Sequence, residues 1–303
     1  MMLGLINVLL GVLVNKVSIM TDTISQISQE IADQYDITIV PMGIIIDGNL
    51  YRENDVDLPE YYKNLLQIKD MEKLPTSSSI SAGEFLEACR NLSKKANGIV
   101  YISHSVRLGM SSKAALEAKQ RLQEEQPDIQ IEVIDPATAV GAQMFIAIEA
   151  AKAAAAGKSF AEVVRVAMNM IPKVKYIVLV DNLDYFSSGG RILDGRSWAD
   201  VKVSTKALLE TDSTAEKVHA PLARYKTKTK AMEGLLELMK GRYGDKKLHI
   251  AINHANVPDE ADYLKNRLSS QLKCVELYVT DIYPVVGRHG GPLNIYLSWW
   301  AED

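Results

Sequence analysis

Along the chain, runs of β-branched apolar residues alternate with stretches that repeat apolar positions every three to four residues, the periods of strand and helix. Val17-Ser18-Ile19-Met20 predicts a first strand, and the capping-box spacing of Thr23 and Gln26 predicts a helix from there to about Tyr35. Ile37 to Ile46 (ITIVPMGIII) predicts a strand in which Pro41 marks an edge or a bulge, then a turn at Asp47-Gly48-Asn49. Helices are expected over Leu58–Ile68 and Ala82–Lys95, the second opened by the capping box Ser81/Glu84. Gly98–Ser103 predicts a strand, His104–Met110 a loop, Ser111–Gln126 a helix and Ile129–Ile134 a strand. Two further helices follow, Thr138–Ala156 and Ser159–Ile171.

After Pro172 the pattern predicts a strand at Tyr176–Val180 and a hairpin turn at Asp212-Ser213. Then come a helix (Thr227–Lys240), a strand (Leu248–Ile252), a helix (Pro258–Leu272) and strands at Val275–Val279 and Gly291–Trp299. This alternation predicts an α/β protein of two domains, 17–171 and 172–303, each a mostly parallel or mixed sheet flanked by helices. Residues 1–16 are set apart as an apolar extension. They are shorter than the about 20 apolar residues of a spanning helix and lack the basic start and cleavage site of a secretory signal, so no stable membrane insertion is expected.

Composition narrows the classes. The 303 residues are 47% hydrophobic and 24% charged, ordinary for a soluble globular protein of two domains. A net charge of −4 gives no broad basic surface, so nucleic acid is not an expected partner. Cys89 and Cys274 have neither metal-ligand spacing nor a disulfide framework, which suits a cytoplasmic protein. No HExxH, CxxC or GxSxG motif occurs, and neither metal nor cofactor is expected. Gly157-Lys158-Ser159 imitates the tail of a phosphate-binding loop, but Lys152 stands where its leading glycine belongs. Gly157 as a helix C-cap and Ser159 as an N-cap account for it better. His249 and His254 have an odd separation and should lie on opposite strand faces, and the basic stretch Arg224–Lys230 reads as a solvated strand edge.

Three segments are candidates for chemistry. His289 sits in the glycine-rich stretch Val286-Gly287-Arg288-His289-Gly290-Gly291-Pro292, where backbone can approach a ligand and the ring titrates near neutrality. The hydroxyl cluster Thr76-Ser77-Ser78-Ser79 precedes a helix N-terminus, a position that favours anions. Gly189-Gly190-Arg191 is a second glycine turn. In a parallel sheet, ligands bind beyond the carboxyl ends of strands, where Asp22, Ser103 and Ser105 are expected.

From about Val17 to Trp299, these segments in this order resemble the DegV family of bacterial lipid-binding proteins. The resemblance rests on Thr21-Asp22-Thr23 after the first strand, the Ser/Thr cluster before Phe85, and a serine-containing loop after the third strand. Gly-Gly-Arg at 189–191 and the turn His289-Gly290-Gly291-Pro292 complete it. It implies a two-domain protein with an internal tunnel, between or within the domains, holding one long-chain fatty acid. It also implies a carrier without catalysis of its own, presenting the carboxylate to an ATP-binding fatty acid kinase subunit. The family's head-group threonine falls on Ser77, beside Thr76 and Ser78. In the second loop, if Gly109 takes the glycine of the family's Ser-Ser-x-Leu-Ser-Gly-Thr pattern, Leu108 and Met110 replace its serine and threonine, whereas a one-residue slip puts Ser105 on the first serine and Ser111 on the threonine. His289 and Arg191 would lie near the carboxylate. Two other readings compete: an acyl hydrolase with His289 as base, Ser77 or Ser105 as nucleophile and Asp22 orienting the histidine, and a small-molecule sensor with a changed ligand.

Overall fold

The structure, a computed structural model, describes residues 16–188, 205–211 and 219–302. Contacts divide the chain into two compact units, and the division is interleaved. Of the described residues, 16–41, Ser79–Ala139 and Gln143–Ile171 form the first; Met42–Ser78, Val140–Ala142 and those from Pro172 onward form the second. A division falls at Ile171/Pro172, where the sequence places the domain boundary, while the segment Met42–Ser78, assigned above to the N-terminal domain, groups with the C-terminal one.

In chain order, the first unit opens with β1 (Val17–Asp22), α1 (Gln29–Tyr35) and β2 (Ile37–Val40). The next four elements belong to the second unit: β3 (Gly43–Ile46), β4 (Asn49–Arg52), α2 (Leu58–Leu65) and β5 (Thr76–Ser78). The first unit resumes with α3 (Ala82–Ser93), β6 (Gly98–Ile102), α4 (Ser111–Glu125), β7 (Gln130–Ile134), α5 (Val140–Ala155, whose first three residues group with the second unit) and α6 (Phe160–Met170). The second continues with β8 (Lys175–Val180), α7 (Leu183–Ser188), β9 (Lys206–Thr211), β10 (Ala220–Tyr225) and α8 (Lys228–Tyr243). It closes with β11 (Lys247–His254), α9 (Pro258–Gln271), β12 (Lys273–Asp281), α10 (Pro284–Gly290) and β13 (Ile295–Ala301).

The first unit is built on a parallel sheet of order β2-β1-β6-β7. Every residue of β1 and β6 is buried, as expected for strands covered on both faces. The second unit holds an antiparallel sheet, β4-β3-β5, and a six-stranded mixed sheet, β10-β9-β8-β13-β11-β12, in which only β11 and β12 pair in parallel. A core of Ile250, Leu264, Leu297, Trp299 and Leu235 packs that sheet against its helices. The protein is thus α/β with several sheets flanked by helices. Among the described residues no helix is long and apolar enough to cross a membrane.

Local differences from expectation have physical causes. The strand expected over 37–46 is two strands in two different sheets, and the break falls at Pro41, which has no N–H to give to a ladder. The helix expected from Thr23 begins at Gln29. Gln26 adopts a left-handed φ of 57° and ends a short 3₁₀ turn, and Ser28 supplies the cap by accepting the Ile31 N–H at 3.3 Å. The capping boxes at Ser81/Glu84 and Ser159/Glu162 form as read, and Gly157 caps its helix at φ 73°. The flanks of the expected hairpin, β9 and β10, pair antiparallel; its turn at Asp212-Ser213, the extension 1–15 and Gly189-Gly190-Arg191 lie outside the described residues.

Candidate functional site

His289 lies in the last turn of α10, a short helix where a turn was expected. Pro284 opens α10 at a position whose N–H needs no partner, and the buried Glu53 accepts the next N–H, that of Val285, at 2.5 Å. Two phenols from α2 fasten the same end: Tyr61 donates to the Pro284 carbonyl at 2.9 Å and Tyr62 to that of Ile282 at 2.8 Å. Burial pushes both phenols above their usual range, so both remain donors. The glycines around His289 make room for aromatic rings. A Cβ on Gly287 would lie 2.4 Å from the Tyr62 hydroxyl, and Gly291, at φ 93°, sits against the ring of Tyr185.

Strand β5 brings the hydroxyl cluster to this helix, and its pleat sorts the three residues. Ser77 pairs with the buried Ile44 and shares its face, while Thr76 and Ser78 pair with Ile45 and Gly43 on the other. Only Ser77 of the three reaches the histidine, with Oγ 3.4 Å from His289 Nε2. On the other side of the ring, Arg288 Nη1 lies 3.0 Å from Nδ1, and Arg288 Nε donates to the Pro75 carbonyl at 2.8 Å. The guanidinium is half-buried, and this burial lowers its pKa from the usual value.

In the first unit a second polar cluster forms where β1 ends. The carboxylate of Asp22, fully buried, accepts from the backbone of Ile24 at 3.1 Å, Gln143 Nε2 at 3.1 Å and Tyr101 at 2.6 Å. It also accepts both the backbone N–H and Nδ1 of His104, at 3.2 and 2.9 Å. Burial alone would push this carboxyl up. The charge and hydrogen bond of His104, with the bonds from Tyr101 and Gln143, outweigh it and hold the pKa below the usual carboxylate range. The acid expected to orient His289 is engaged with a different histidine, His104. His104 escaped the sequence reading because 82 residues separate it from Asp22.

The serine loop is largely self-bonded. Ser103 Oγ donates to the His104 carbonyl, Ser105 N donates to Thr138 O at 3.1 Å, and Ser105 Oγ accepts the Arg107 N–H at 3.3 Å. Ser111 opens α4 and is buried. Arg191 was expected near the carboxylate but lies outside the described residues. Arg288 was overlooked although it adjoins His289 in sequence. Within the second unit a cavity of about 780 Å³ touches Thr76, but Asp47, Asp55, Asp57, Glu60 and Glu72 line it against one Lys73, so it repels an anion. No group of three or more potential metal ligands occurs among the described residues.

One compact unit on a parallel sheet with a polar cluster at its strand ends, and a second with a mixed sheet and a serine–histidine–arginine cluster, define a two-unit α/β protein. The model described as "Uncharacterised protein, DegV family" matches residues 16–301, and the chain belongs to the DegV family. A DegV domain-containing protein of Clostridium perfringens is 29% identical over 288 residues, spanning 95% of this chain and 99% of that protein. Among solved structures, DegV from Bacillus subtilis, described as a fatty acid binding protein, superposes with a TM-score of 0.81. Its identity is 22%, over 95% of this chain and all of that one. A fatty acid binding DegV family protein from Streptococcus agalactiae gives 0.80 at 24% identity, over 95% and 100%. These likenesses show a shared fold.

Proposed function

We propose that this chain binds one long-chain fatty acid and acts as a non-enzymatic carrier in the cytoplasm, its alkyl tail in an internal tunnel. The carboxylate is held at Ser77 and His289, with Arg288 behind them, and is presented to an ATP-binding kinase subunit for phosphorylation. The observation that carries this reading is the 3.4 Å approach of Ser77 Oγ to His289 Nε2 across 212 residues of sequence. Beside it stands a guanidinium, which gives the second unit positive potential where the acid-lined cavity offers none. The fatty acid binding described for solved structures of the same fold supports the choice of ligand.

The energetics agree with a tail-dominated ligand. About fifteen methylenes at ~0.8 kcal/mol each offer on the order of 10 kcal/mol. Association and ordering costs remove much of it. Each hydrogen bond to the charged head group adds about 1.5–3 kcal/mol and decides where the chain stops. Ser105 and Ser111 keep their place as further head-group candidates from the resemblance, and single alanine variants rank them.

Mass spectrometry of the denatured, freshly purified protein tests the reading: a stoichiometric long-chain fatty acid is expected. The Ser77→Ala/His289→Ala double variant should retain about a tenth as much or less after washing with a lipid sink. Full retention by that variant removes the head-group assignment, and release of a short acid or phosphate ester instead revives the sensor reading. Incubating the loaded chain with ATP and a fatty acid kinase subunit should form the acyl phosphate, and its absence counts against the carrier role.

A further inference from the structure

We infer that Arg288 is a positioning residue that fixes the proton of His289 on Nε2, turning Ser77 into a hydrogen-bond donor toward the ligand and selecting an acceptor-only anionic head group. A guanidinium carries donors and no acceptor, so the atom facing Nη1 at 3.0 Å must hold a lone pair. His289 Nδ1 is thereby bare, and the neutral ring carries its proton on Nε2. That N–H faces Ser77 Oγ at 3.4 Å, so the serine oxygen receives. Ser77 Oγ has no other hydrogen-bond partner among the described residues, and its own proton is left to give outward.

The arrangement is held at both ends. Arg288 Nε donates to the Pro75 carbonyl at 2.8 Å, two residues before Ser77, which ties the guanidinium to the strand that carries the hydroxyl. Glu53, Tyr61 and Tyr62 fasten the start of α10, whose last turn carries both Arg288 and His289. The three donors therefore point in series, Arg288 to His289 to Ser77 to ligand. Donors in series polarise one another, and the last of them bonds a carboxylate more strongly than a neutral oxygen. The inference rests on the fatty-acid reading for the identity of the head group, but the proton position does not.

Nitrogen-15 NMR of histidine-labelled full-length protein reads that position directly. In the unaltered protein His289 is expected to show a proton-free Nδ1 and a protonated Nε2. Arg288→Met should lose this pattern, with Nδ1–H gaining population. In the same variant, palmitate affinity should fall about tenfold while hexadecanol, with the same tail and a neutral head, changes less than about threefold. Arg288→Lys keeps a charged donor without the fork to Pro75 and should recover part of the palmitate affinity. A protonated Nδ1 in the unaltered protein overturns the inference. So does an unchanged nitrogen pattern or an unchanged palmitate-to-hexadecanol ratio in Arg288→Met. If neither lipid binds but the nitrogen pattern is as expected, the donor series stands and the fatty-acid reading falls.

Discussion

The two histidine clusters use the same ring with opposite partners. In the first unit, the carboxylate of Asp22 sits against Nδ1 of His104 and requires a proton there. In the second, Arg288 sits against Nδ1 of His289 and forbids one. The first cluster is closed: Asp22 is fully buried, its charge is met by five donors, and His104 is 2% exposed. The second is half-buried, its Ser77–His289 bond is long, and its cationic member has no carboxylate partner among the described residues. A cluster that satisfies its own charge builds structure; one that presents donors and leaves a positive charge unmatched is suited to an anion.

The sharpest way to break this contrast is at Asp22. Replacing it with alanine leaves Tyr101, His104 and Gln143 aimed at an empty, fully buried site, and should cost about 3–5 kcal/mol of unfolding free energy in urea. Its pH signature has a definite sign. The folded pKa lies below the ordinary 3.8, so the stabilisation is complete above about pH 4 and is lost as pH falls through the folded value. Asp22→Asn should therefore be less stable at neutrality and show a shallower acid limb between about pH 4 and 2. An unchanged acid limb would make Asp22 a bystander, and the closed description of this cluster would fail.

Why one cluster was visible in the sequence and the other was not follows from the same geometry. The capping boxes at Ser81 and Ser159 and the C-cap at Gly157 are local, decided within three or four residues, and they form as read. The buried runs of β1 and β6 announced a parallel sheet. His289 and the hydroxyl cluster became candidates through a glycine-rich stretch and a position before a helix, family resemblance singled out Ser77, and the structure adds the distance between the two. The Asp22–His104 pair, the membership of Met42–Ser78 in the second unit and the clamps from Tyr61 and Tyr62 all span more than 30 residues and leave no periodic trace. Pro41 was legible as a break in a strand, but not as the point where the chain changes sheets. Arg288 has no motif of its own, whereas Gly189-Gly190-Arg191 is the arginine turn that matches the family pattern.

A smaller effect sharpens the rigidity of the closed cluster. Gly109 has no side chain where a Cβ would stand 2.5 Å from His104 Nε2. Because Asp22 fixes the ring from its other nitrogen, the imidazole cannot swing away, and Gly109→Ala should cost about 1–3 kcal/mol. In the Asp22→Asn background the ring is held less firmly. The double-mutant cycle should then show a coupling of about 1 kcal/mol, the second substitution costing less than it does alone. Additive costs would mean that the ring yields regardless of Asp22.

The smallest expected stability change belongs to the open cluster and is the more telling for it. Ser77→Ala removes a hydroxyl whose one bond, at 3.4 Å, is half-solvated, so the unfolding free energy should move by less than about 1 kcal/mol. Palmitate affinity should nevertheless fall about tenfold if, as proposed, the lost hydroxyl donates to the charged head group. At Asp22 the ratio is reversed, with a large loss of stability whatever ligand is present. Titrating palmitate into Ser77→Ala while following its thermal unfolding measures both quantities in one experiment. If Ser77→Ala were as costly to the fold as Asp22→Asn yet neutral for palmitate, Ser77 would belong with the buried scaffold, and the division between a cluster that holds the chain and a cluster that meets a ligand would not stand.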